Sequence, residues 1–274
     1  MIAVADPPTK VPDKVHALPD HISPTAAKDY LGCSLRFFFG RVLAIPQATS
    51  PALHLGKCVH AALQHYHLAV WRGGDASPEA VTQAYEDIFM TMERDEGPVS
   101  WKDEKARNKA HADGLRVVAA YLDSPGVLKE SPKAVEVFLR EEIDGLSVPL
   151  TGAIDLVRQD LVPVDFKTSA SKPDPATAAF DHELQLVCYQ LMIEKATGKT
   201  PPALDLLFLV KTKTPQVIPV SIAPADEHRK QRAVKMLETA VQGIAEERFH
   251  PQPGMHCSWC SFRNECGKWK GDAA

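Results

Sequence analysis

Two short apolar segments within Leu150–Ser169 each carry one carboxylate, and a lysine follows the second. Asp155 lies in the first segment, and Asp165 and Lys167 lie in the second. Both segments are rich in β-branched and aliphatic residues, which predicts two neighbouring strands. Because side chains alternate between the faces of a strand, Asp165 and Lys167 share one face and Phe166 points to the other. An acid in such a segment is costly unless something binds it, so the pattern indicates a site at a sheet surface.

Two converging carboxylates at a sheet surface suit a hard divalent cation such as Mg²⁺ or Mn²⁺. A neighbouring lysine could orient or deprotonate a water molecule there, which is the chemistry of phosphodiester hydrolysis. The alternative is structural: Asp155 would be a solvated edge-strand acid, and Asp165 with Lys167 an exposed ion pair worth under about 1 kcal/mol.

Composition limits the class of protein. The chain has 274 residues, 45% of them hydrophobic and 24% charged, which is typical of a soluble globular protein. No apolar run approaches the ~20 residues of a membrane span, and the first twenty residues lack the pattern of a secretory signal, so we expect a cytoplasmic protein with no membrane partner. A net charge of −4 neither indicates nor excludes a nucleic-acid partner, because a local basic groove is sufficient for binding.

Local patterns predict an α/β fold with helices before and after the strands. Residues 1–21 are rich in proline and predict a flexible arm, followed by one domain over 22–274. Capping signals at Ser23-Pro24 and Ser77-Pro78 predict helices at 24–31 and 78–96. Apolar positions spaced by three or four predict a helix at 51–71, and a further helix is expected at 102–122 within a helical insertion over 77–130. Strands are predicted at 134–143, 146–157, 162–167, 203–211 and 216–222, with helices at 173–195 and 224–247. Asp144–Gly145 predicts a two-residue hairpin between the first two strands, and Glu136 on the first strand could reach the site of Asp155.

Three cysteines near the C-terminus form the sharpest single motif. Cys257, Cys260 and Cys266 are separated by two and five residues, a spacing typical of metal ligands rather than of a disulfide framework. A local site needs a fourth ligand, for which Cys33, Cys58, Cys188 and a histidine such as His256 are the candidates. Thiolates bind zinc or an iron–sulfur cluster, and the spacing does not decide between them.

Two predicted helices carry further candidates. Gly56, His60 and His67 lie near one face of the helix over 51–71, where Gly56 would allow close approach; a lone helical histidine is more often packed or exposed than a ligand. Gln185 and Tyr189 are four residues apart and therefore neighbours on the helix over 173–195.

Taken together, these motifs resemble the RecB-like nucleases of the PD-(D/E)XK superfamily, in the iron–sulfur branch that includes the AddB nuclease domain and the CRISPR-associated RecB-like exonucleases. The resemblance covers residues 22–270 and rests on motifs in the family's order: Cys33 with Arg36-Phe37, Gly56 with His60, Gly152 with Asp155, Asp165 with Lys167, Gln185 with Tyr189, and the three-cysteine cluster. Ser34 and Gly267 stand where the family often has proline, at positions that supply no ligand.

The resemblance implies a PD-(D/E)XK core, a mixed central sheet flanked by helices, with the cluster-binding segment at 250–270. It implies that His60, Asp155, Asp165 and the main-chain carbonyl of Phe166 hold Mg²⁺ or Mn²⁺. Lys167 would then position or activate the attacking water, and Gln185 and Tyr189 would line the DNA strand or brace the site.

The resemblance also implies that Cys33, Cys257, Cys260 and Cys266 hold a 4Fe-4S cluster, with zinc as the alternative, in a structural role. Basic residues expected to contact the DNA backbone are Arg36, Arg41, Lys57, Lys211 and Lys213.

We therefore expect a metal-dependent DNA exonuclease that prefers single strands or ends, acting in recombination, repair or replication. A second hypothesis is a catalytically weak, DNA-end-binding scaffold in a helicase–nuclease assembly; with no convincing phosphate loop in the chain, any motor would be a separate subunit. A third is a zinc-binding adaptor whose acids are dispensable.

Overall fold

A five-stranded mixed sheet forms the centre of the computed structural model, which describes residues 18–124 and 130–271. The strands are β1 (Ala134–Glu141), β2 (Leu150–Val157), β3 (Pro163–Ser169), β4 (Leu204–Val210) and β5 (Gln216–Ile222), and they lie in that order. β3 runs antiparallel to β2 and parallel to β4, and β5 runs antiparallel to β4. The predicted mixed sheet flanked by helices is confirmed. Of the predicted arm over 1–21, only the last four residues lie within the described ranges.

The described chain forms two compact units. The sheet unit consists of Ala48–Leu139 and Gly152–Asp226, and the terminal unit consists of the residues up to Gln47, Arg140–Thr151 and those from Glu227 onward.

Helices α1 (Pro24–Gly32) and α2 (Ser34–Phe37) belong to the terminal unit. Three capped helices precede the strands in the sheet unit: α3 (Pro51–Arg72), α4 (Pro78–Glu96) and α5 (Glu104–Asp123). The side chains of Ser50, Ser77 and Asp103 accept hydrogen bonds from backbone amides of the first turns, which satisfies donors that a helix cannot pair itself. The helices pack closely where α5 has Gly114, because a Cβ there would overlap the Tyr85 side chain. The predicted helices at 51–71, 78–96 and 102–122 are therefore found within two residues of their expected bounds.

The helix predicted over 173–195 is two helices, α6 (Pro175–Asp181) and α7 (Glu183–Thr197). The chain bends at His182, whose backbone angles, φ −108° and ψ 4°, leave the helical region. α6 contacts β5 whereas α7 contacts β3, so the bend lets each short helix follow a different strand. Together they form the crossover that makes β3 and β4 parallel.

The predicted two-residue hairpin at Asp144–Gly145 is wrong in extent. A turn is present, because the Leu146 amide donates to the Ile143 carbonyl and Gly145 has φ +89°. β2 nevertheless begins only at Leu150. The intervening Ser147 is held by Glu238, and its amide lies 3.0 Å from that carboxylate, so these residues bond to a helix instead of extending the ladder.

The terminal unit contains α1 (Pro24–Gly32), α2 (Ser34–Phe37) with a π-helical turn at Phe38–Val42, α8 (Glu227–Ala245), a 3₁₀ turn at Met255–Trp259 and α9 (Arg263–Lys268). α1 packs on α8 at Gly243, where a Cβ would overlap the Tyr30 ring. The Tyr30 hydroxyl donates to the Arg248 carbonyl at 2.8 Å. These contacts join segments that are more than two hundred residues apart in sequence. Within the described ranges, no helix has the length and apolar character that crossing a membrane requires.

Candidate functional site

Asp155 and Asp165 meet where β2 and β3 stop pairing. The two strands are in register at Leu156–Val164 and Val157–Pro163. Two residues further along β3, the Phe166 amide donates to Asp155 Oδ2 at 2.8 Å. The carboxylate of Asp155 thus takes the place of a strand carbonyl, which fixes its orientation beside β3.

Asp165 lies inside a network of hydrogen bonds. Its side chain is only 4% exposed, and its Oδ2 lies 2.7 Å from Lys167 Nζ. Its Oδ1 accepts from Gln185 Nε2 at 2.7 Å, and Gln185 Oε1 accepts from Lys167 Nζ at 3.0 Å. Gln185 therefore links the acid and the lysine from α7.

Tyr189 closes the network one turn further along α7. Its hydroxyl accepts from Gln185 Nε2 at 2.7 Å and lies 2.9 Å from the Ala153 carbonyl and 3.2 Å from Asp165 Oδ1. Either oxygen can accept its single proton. α7 can approach β2 this closely because residue 152 is glycine, whose Cβ would lie 2.7 Å from the Met192 methyl group.

His60 approaches the acids from α3. Its Nδ1 lies 3.5 Å from Asp155 Oδ2. Gly56, one turn earlier, faces β3, and a Cβ there would lie 3.1 Å from Thr168 Oγ1. The missing side chain at Gly56 thus lets the helix bring His60 to the sheet.

The grouped charges shift pKa values in the direction that their surroundings dictate. Burial raises the pKa of Asp165, although Lys167 opposes the shift. Burial would lower the pKa of His60, but the carboxylates of Asp155 and Asp165 outweigh it and raise that pKa. Burial also raises the pKa of Glu136, assisted by the charge of Asp155.

A cavity of about 500 Å³ opens beside the two acids. Glu136, on β1, lines the cavity and is also exposed to solvent. The residues that line the cavity are Ala52, Leu53, Gly56, Lys57, His60, Ala61, Gln64, Met92, Glu96, Glu136, Asp155, Phe166, Lys167 and Thr168.

The donor set of this cavity fits a hard divalent cation. Two carboxylates and an imidazole are grouped, and the buried Asp165 Oδ2 contacts the Lys167 ammonium but has no well-aligned hydrogen bond among the described residues, so it is the oxygen that a cation could take from the lysine. Within residues 18–124 and 130–271, however, no three His, Cys, Asp or Glu side chains are arranged as a ready metal site. The Lys167 ammonium lies against Asp165 Oδ2, so it must move for a cation to bind there.

The four cysteines implied by the resemblance line one cavity of about 70 Å³ in the terminal unit, together with apolar residues such as Leu35, Phe39 and Phe262. Burial raises the pKa of Cys266, and the neighbouring Cys33, Cys260 and Cys257 add to the rise. All six cysteines are free thiols. Four grouped thiols fit either zinc or an iron–sulfur cluster, and they too form no ready metal site among the described residues. Of the other three candidates for a fourth ligand, Cys58 and Cys188 are buried in the sheet unit, whereas His256 lines the same cavity as the four cysteines.

Ser34 stands where the resembled family often has proline, and it has a role that proline could not fill. Its amide donates to Gln252 Oε1 at 2.7 Å, and its hydroxyl accepts from the His250 amide at 2.9 Å. Both bonds attach the segment after Cys33 to the segment before Cys257 within the terminal unit.

Among the basic residues predicted to contact DNA, three are in ion pairs. Arg36 and Arg41 both bind Asp29, at 3.2 and 2.6 Å. Lys57 pairs with Glu96 at the wall of the acidic cavity. Lys211 and Lys213 lie at the end of β4, and Lys213 is exposed.

Sequence reasoning missed two features of the acid site. Glu96 lines the cavity, although its charge looked like part of a solvated helix face. Tyr121, from the predicted insertion, bonds to His67 and packs on Phe166. His60 and His67 are seven residues apart on one helix and therefore share a face. This spacing was the sequence signal that His67 lies near the acid site.

Comparison with known proteins agrees with this geometry. A family model described as the PD-(D/E)XK nuclease superfamily matches residues 21–267. No curated protein matches. A solved structure named "Putative exonuclease", from Eubacterium rectale, has 13% sequence identity and a TM-score of 0.61, covering 93% of this chain and 91% of that one. The structure named SSO0001 has 15% identity and a TM-score of 0.37 over 81% of this chain and 87% of that one, a similarity too low to indicate a shared fold. By the extent of the family match, the chain belongs to the PD-(D/E)XK nuclease superfamily.

Proposed function

We propose that the protein is a divalent-metal-dependent deoxyribonuclease that degrades single-stranded DNA or DNA from its ends. The observation that carries the proposal is that Asp155 and Lys167 line one cavity and that the buried Asp165 lies against Lys167, in a chain that belongs to a nuclease superfamily. The name of the Eubacterium rectale structure supports exonuclease rather than endonuclease action.

Asp155, Asp165, His60 and the main-chain carbonyl of Phe166 are the proposed ligands of Mg²⁺ or Mn²⁺. When bound, the cation would supply Lewis-acid stabilisation of the charge that develops on the phosphate. The Phe166 amide holds Asp155, and Gln185 and Tyr189 hold Asp165, so both carboxylates are oriented before substrate arrives.

Lys167 is the proposed partner of the attacking water. Its ammonium is bound by Asp165 and Gln185, within reach of the cavity that the phosphate would enter. From there it can hold a water molecule by a hydrogen bond and stabilise the incoming negative charge. Gln185 keeps the ammonium in place when the ion pair with Asp165 loosens.

The four cysteines of the terminal unit are the proposed ligands of a 4Fe-4S cluster, with zinc as the alternative. Such a site would join α2 to the C-terminal segment and stabilise the fold without taking part in hydrolysis. It would place the protein in the iron–sulfur, RecB-like branch of the superfamily, with roles in repair or recombination. A cytoplasmic location fits both a DNA substrate and the six free cysteines.

Lys57, Lys211 and Lys213 in the sheet unit, and Arg36 and Arg41 in the terminal unit, are the proposed contacts to the DNA backbone. The ion pairs of Lys57 and of the two arginines are partly exposed, which makes them weak enough to exchange for phosphate.

The test is cleavage of end-labelled linear DNA, single- and double-stranded, by anaerobically purified protein with Mg²⁺, with Mn²⁺ and with chelator. A closed single-stranded circle separates exonuclease from endonuclease action. The Asp165→Asn variant removes the charge and keeps only one of the two acceptor oxygens that face Lys167 and Gln185, and we expect it to lose cleavage while it still folds and unfolds cooperatively. Asp160→Asn, at a half-exposed acid between the same two strands, is the matched control and should cleave normally. Full activity of Asp165→Asn would refute the proposed site.

A second candidate function is a DNA-end-binding scaffold that works with a separate helicase. It is favoured by one observation: Lys167 lies on the acid that a cation would need. DNA binding without cleavage under any metal condition, by folded protein with its cysteine site filled, would select this function.

A further inference from the structure

The Phe166 side chain lies on the face of β3 opposite to Asp165 and Lys167, directly behind the acid site. In the sequence, Phe166 lies between Asp165 and Lys167, and its side chain is buried. Its amide holds Asp155. Any displacement of Phe166 would therefore move two acids and the lysine together.

Three side chains hold the Phe166 ring. His60 meets it edge-on, with ring centres 6.0 Å apart at 90°. His67 stacks on it at 6.0 Å and 14°, and Tyr121 meets it edge-on at 5.7 Å and 88°. Because His60 and His67 are both on α3, the helix is fixed to the ring at two points.

His67 and Tyr121 form a buried polar pair behind the ring. His67 Nε2 lies 2.6 Å from the Tyr121 hydroxyl, and both residues are 0% exposed. Among the described residues, no group forms a hydrogen bond with His67 Nδ1. The surrounding cluster is otherwise apolar, including Leu63, Val117 and Leu156. Apolar side chains of the same size would fill this space without the cost of burying polar atoms, so the pair is not explained by packing alone.

A directional bond between two helices does what apolar packing cannot. It fixes the rotation of α3 relative to α5, and it fixes the plane of the imidazole that stacks on Phe166. We propose that His67 and Tyr121 are positioning residues for the acid site: their hydrogen bond sets the place of the Phe166 ring, and thereby the amide bond to Asp155 and the approach of His60. This inference rests on the proposed function for its effect on cleavage, but its structural part does not need it.

The test compares the same substitution at two buried tyrosines of one core. Tyr121→Phe removes only the hydroxyl that bonds His67. Tyr85→Phe is the control, because the Tyr85 hydroxyl donates to the His111 carbonyl at 3.2 Å and the Tyr85 ring packs on Phe89 and His111. Both residues are fully buried, so both variants should lose similar stability.

We expect Tyr121→Phe to lower kcat about tenfold at an unchanged KM for DNA, since small misplacement of oriented groups is costly in rate. We expect Tyr85→Phe to leave kcat within about twofold, since it leaves the oriented groups in place. Equal kcat values in the two variants, with wild-type protein active, would overturn the positioning role.

A second readout works without cleavage. Hydrogen exchange of the Phe166 amide reports its bond to Asp155, and we expect faster exchange in Tyr121→Phe but not in Tyr85→Phe. Wild-type protein that does not cleave would then refute the proposed function while this difference still supports the positioning role. Identical exchange in both variants would refute the positioning role whatever the activity.

The double variant His67→Phe/Tyr121→Phe separates the contribution of packing to stability from the orienting effect of the hydrogen bond. Replacing both polar partners by apolar rings should recover most of the stability lost in Tyr121→Phe. We expect kcat and the protection of the Phe166 amide to stay low. Recovery of both along with stability would show that the pair serves packing only.

Discussion

The acid site and the cysteine cavity both group side chains that can bind metals, but they are held together differently. At the acid site, Asp165 has an internal counter-ion in Lys167 and accepts further bonds from α7. In the cysteine cavity, four free thiols face one another among apolar side chains. Neutral thiols can be grouped among apolar side chains at little cost in free energy. Grouped carboxylates repel one another and are costly to bury unless a cation balances their charge. The acid site can thus be organised by the protein alone, while the cysteine cavity depends on a ligand for any cross-link.

The largest effect should follow from removing the internal counter-ion. We expect Lys167→Met to reduce cleavage by about 10² to 10⁴-fold, since the group that holds the nucleophile is lost. The buried Asp165 would then lack its counter-ion, which lowers the thermal stability of the protein in chelator. Mg²⁺ should restore that stability. Thermal unfolding with and without Mg²⁺ measures this, beside Lys199→Met as an exposed control outside the proposed DNA contacts. A variant equally stable with and without Mg²⁺ would contradict the comparison.

The cysteine cavity should show the opposite behaviour. We expect Cys266→Ala to lose the bound metal and about 5 kcal/mol of stability, by analogy with a cross-link over a span of this length. Cleavage per folded molecule should change little. Metal analysis and denaturant unfolding provide the measurement. The control is Cys188→Ala, at a buried thiol in α7, which should leave the metal of the cysteine cavity in place. A strong loss of activity in folded Cys266→Ala would mean that the cavity takes part in the chemistry.

Acid pH should weaken the sheet unit in particular, because it contains the buried histidines among the described residues, His54 and His67. Burial lowers the pKa of both, that of His67 to about 4. Between about pH 4 and 6.5 the unfolded chain binds a proton at His67 and the folded chain does not, so unfolding becomes easier as pH falls, by on the order of 3 kcal/mol.

This loss can be measured by urea unfolding in chelator across that range. His67→Asn should flatten the pH dependence, whereas His65→Asn, at an exposed histidine of the same helix, should retain it. If the free energy of unfolding of His67→Asn still falls steeply with pH, groups other than His67 cause the loss of stability.

The smallest effect tests how closely α3 must approach the sheet. In Gly56→Ala the new methyl group would meet Thr168 Oγ1 at 3.1 Å, so the helix must shift by a few tenths of an ångström. We expect kcat to fall by about three- to tenfold with little change in stability. Gly56→Ala/Thr168→Ala removes the obstacle and should recover the rate in the cleavage assay. Failure to recover would point to helix rotation instead of contact with Thr168.

Much of the fold could be predicted because its signals are local. Ser23 and Ser77 cap the helices they were expected to start. The alternation along β3 correctly placed Asp165 beside Lys167. The candidate acid site followed from motif order, although its metal and DNA roles stay predictions.

What could not be predicted depends on contacts between distant segments. The bend at His182 follows from α6 and α7 packing on different strands, and the late start of β2 follows from Glu238 holding Ser147. His67 looked like an ordinary helical histidine because its partner Tyr121 is 54 residues away. Periodicity carries no information about such partners.

The cysteine cavity also sets an order of events during synthesis. Cys33 leaves the ribosome more than two hundred residues before Cys257, an interval of roughly 10–45 s at ~5–20 residues per second. Throughout that time Leu35 and Phe39 have no Phe262 to cover them, and a nascent chain stalled before Cys257 can offer only one of the four thiols. Closure of the cavity therefore requires that the segment from Cys257 to Cys266 has been made, and a chain without that segment keeps the apolar surface of Leu35 and Phe39 open.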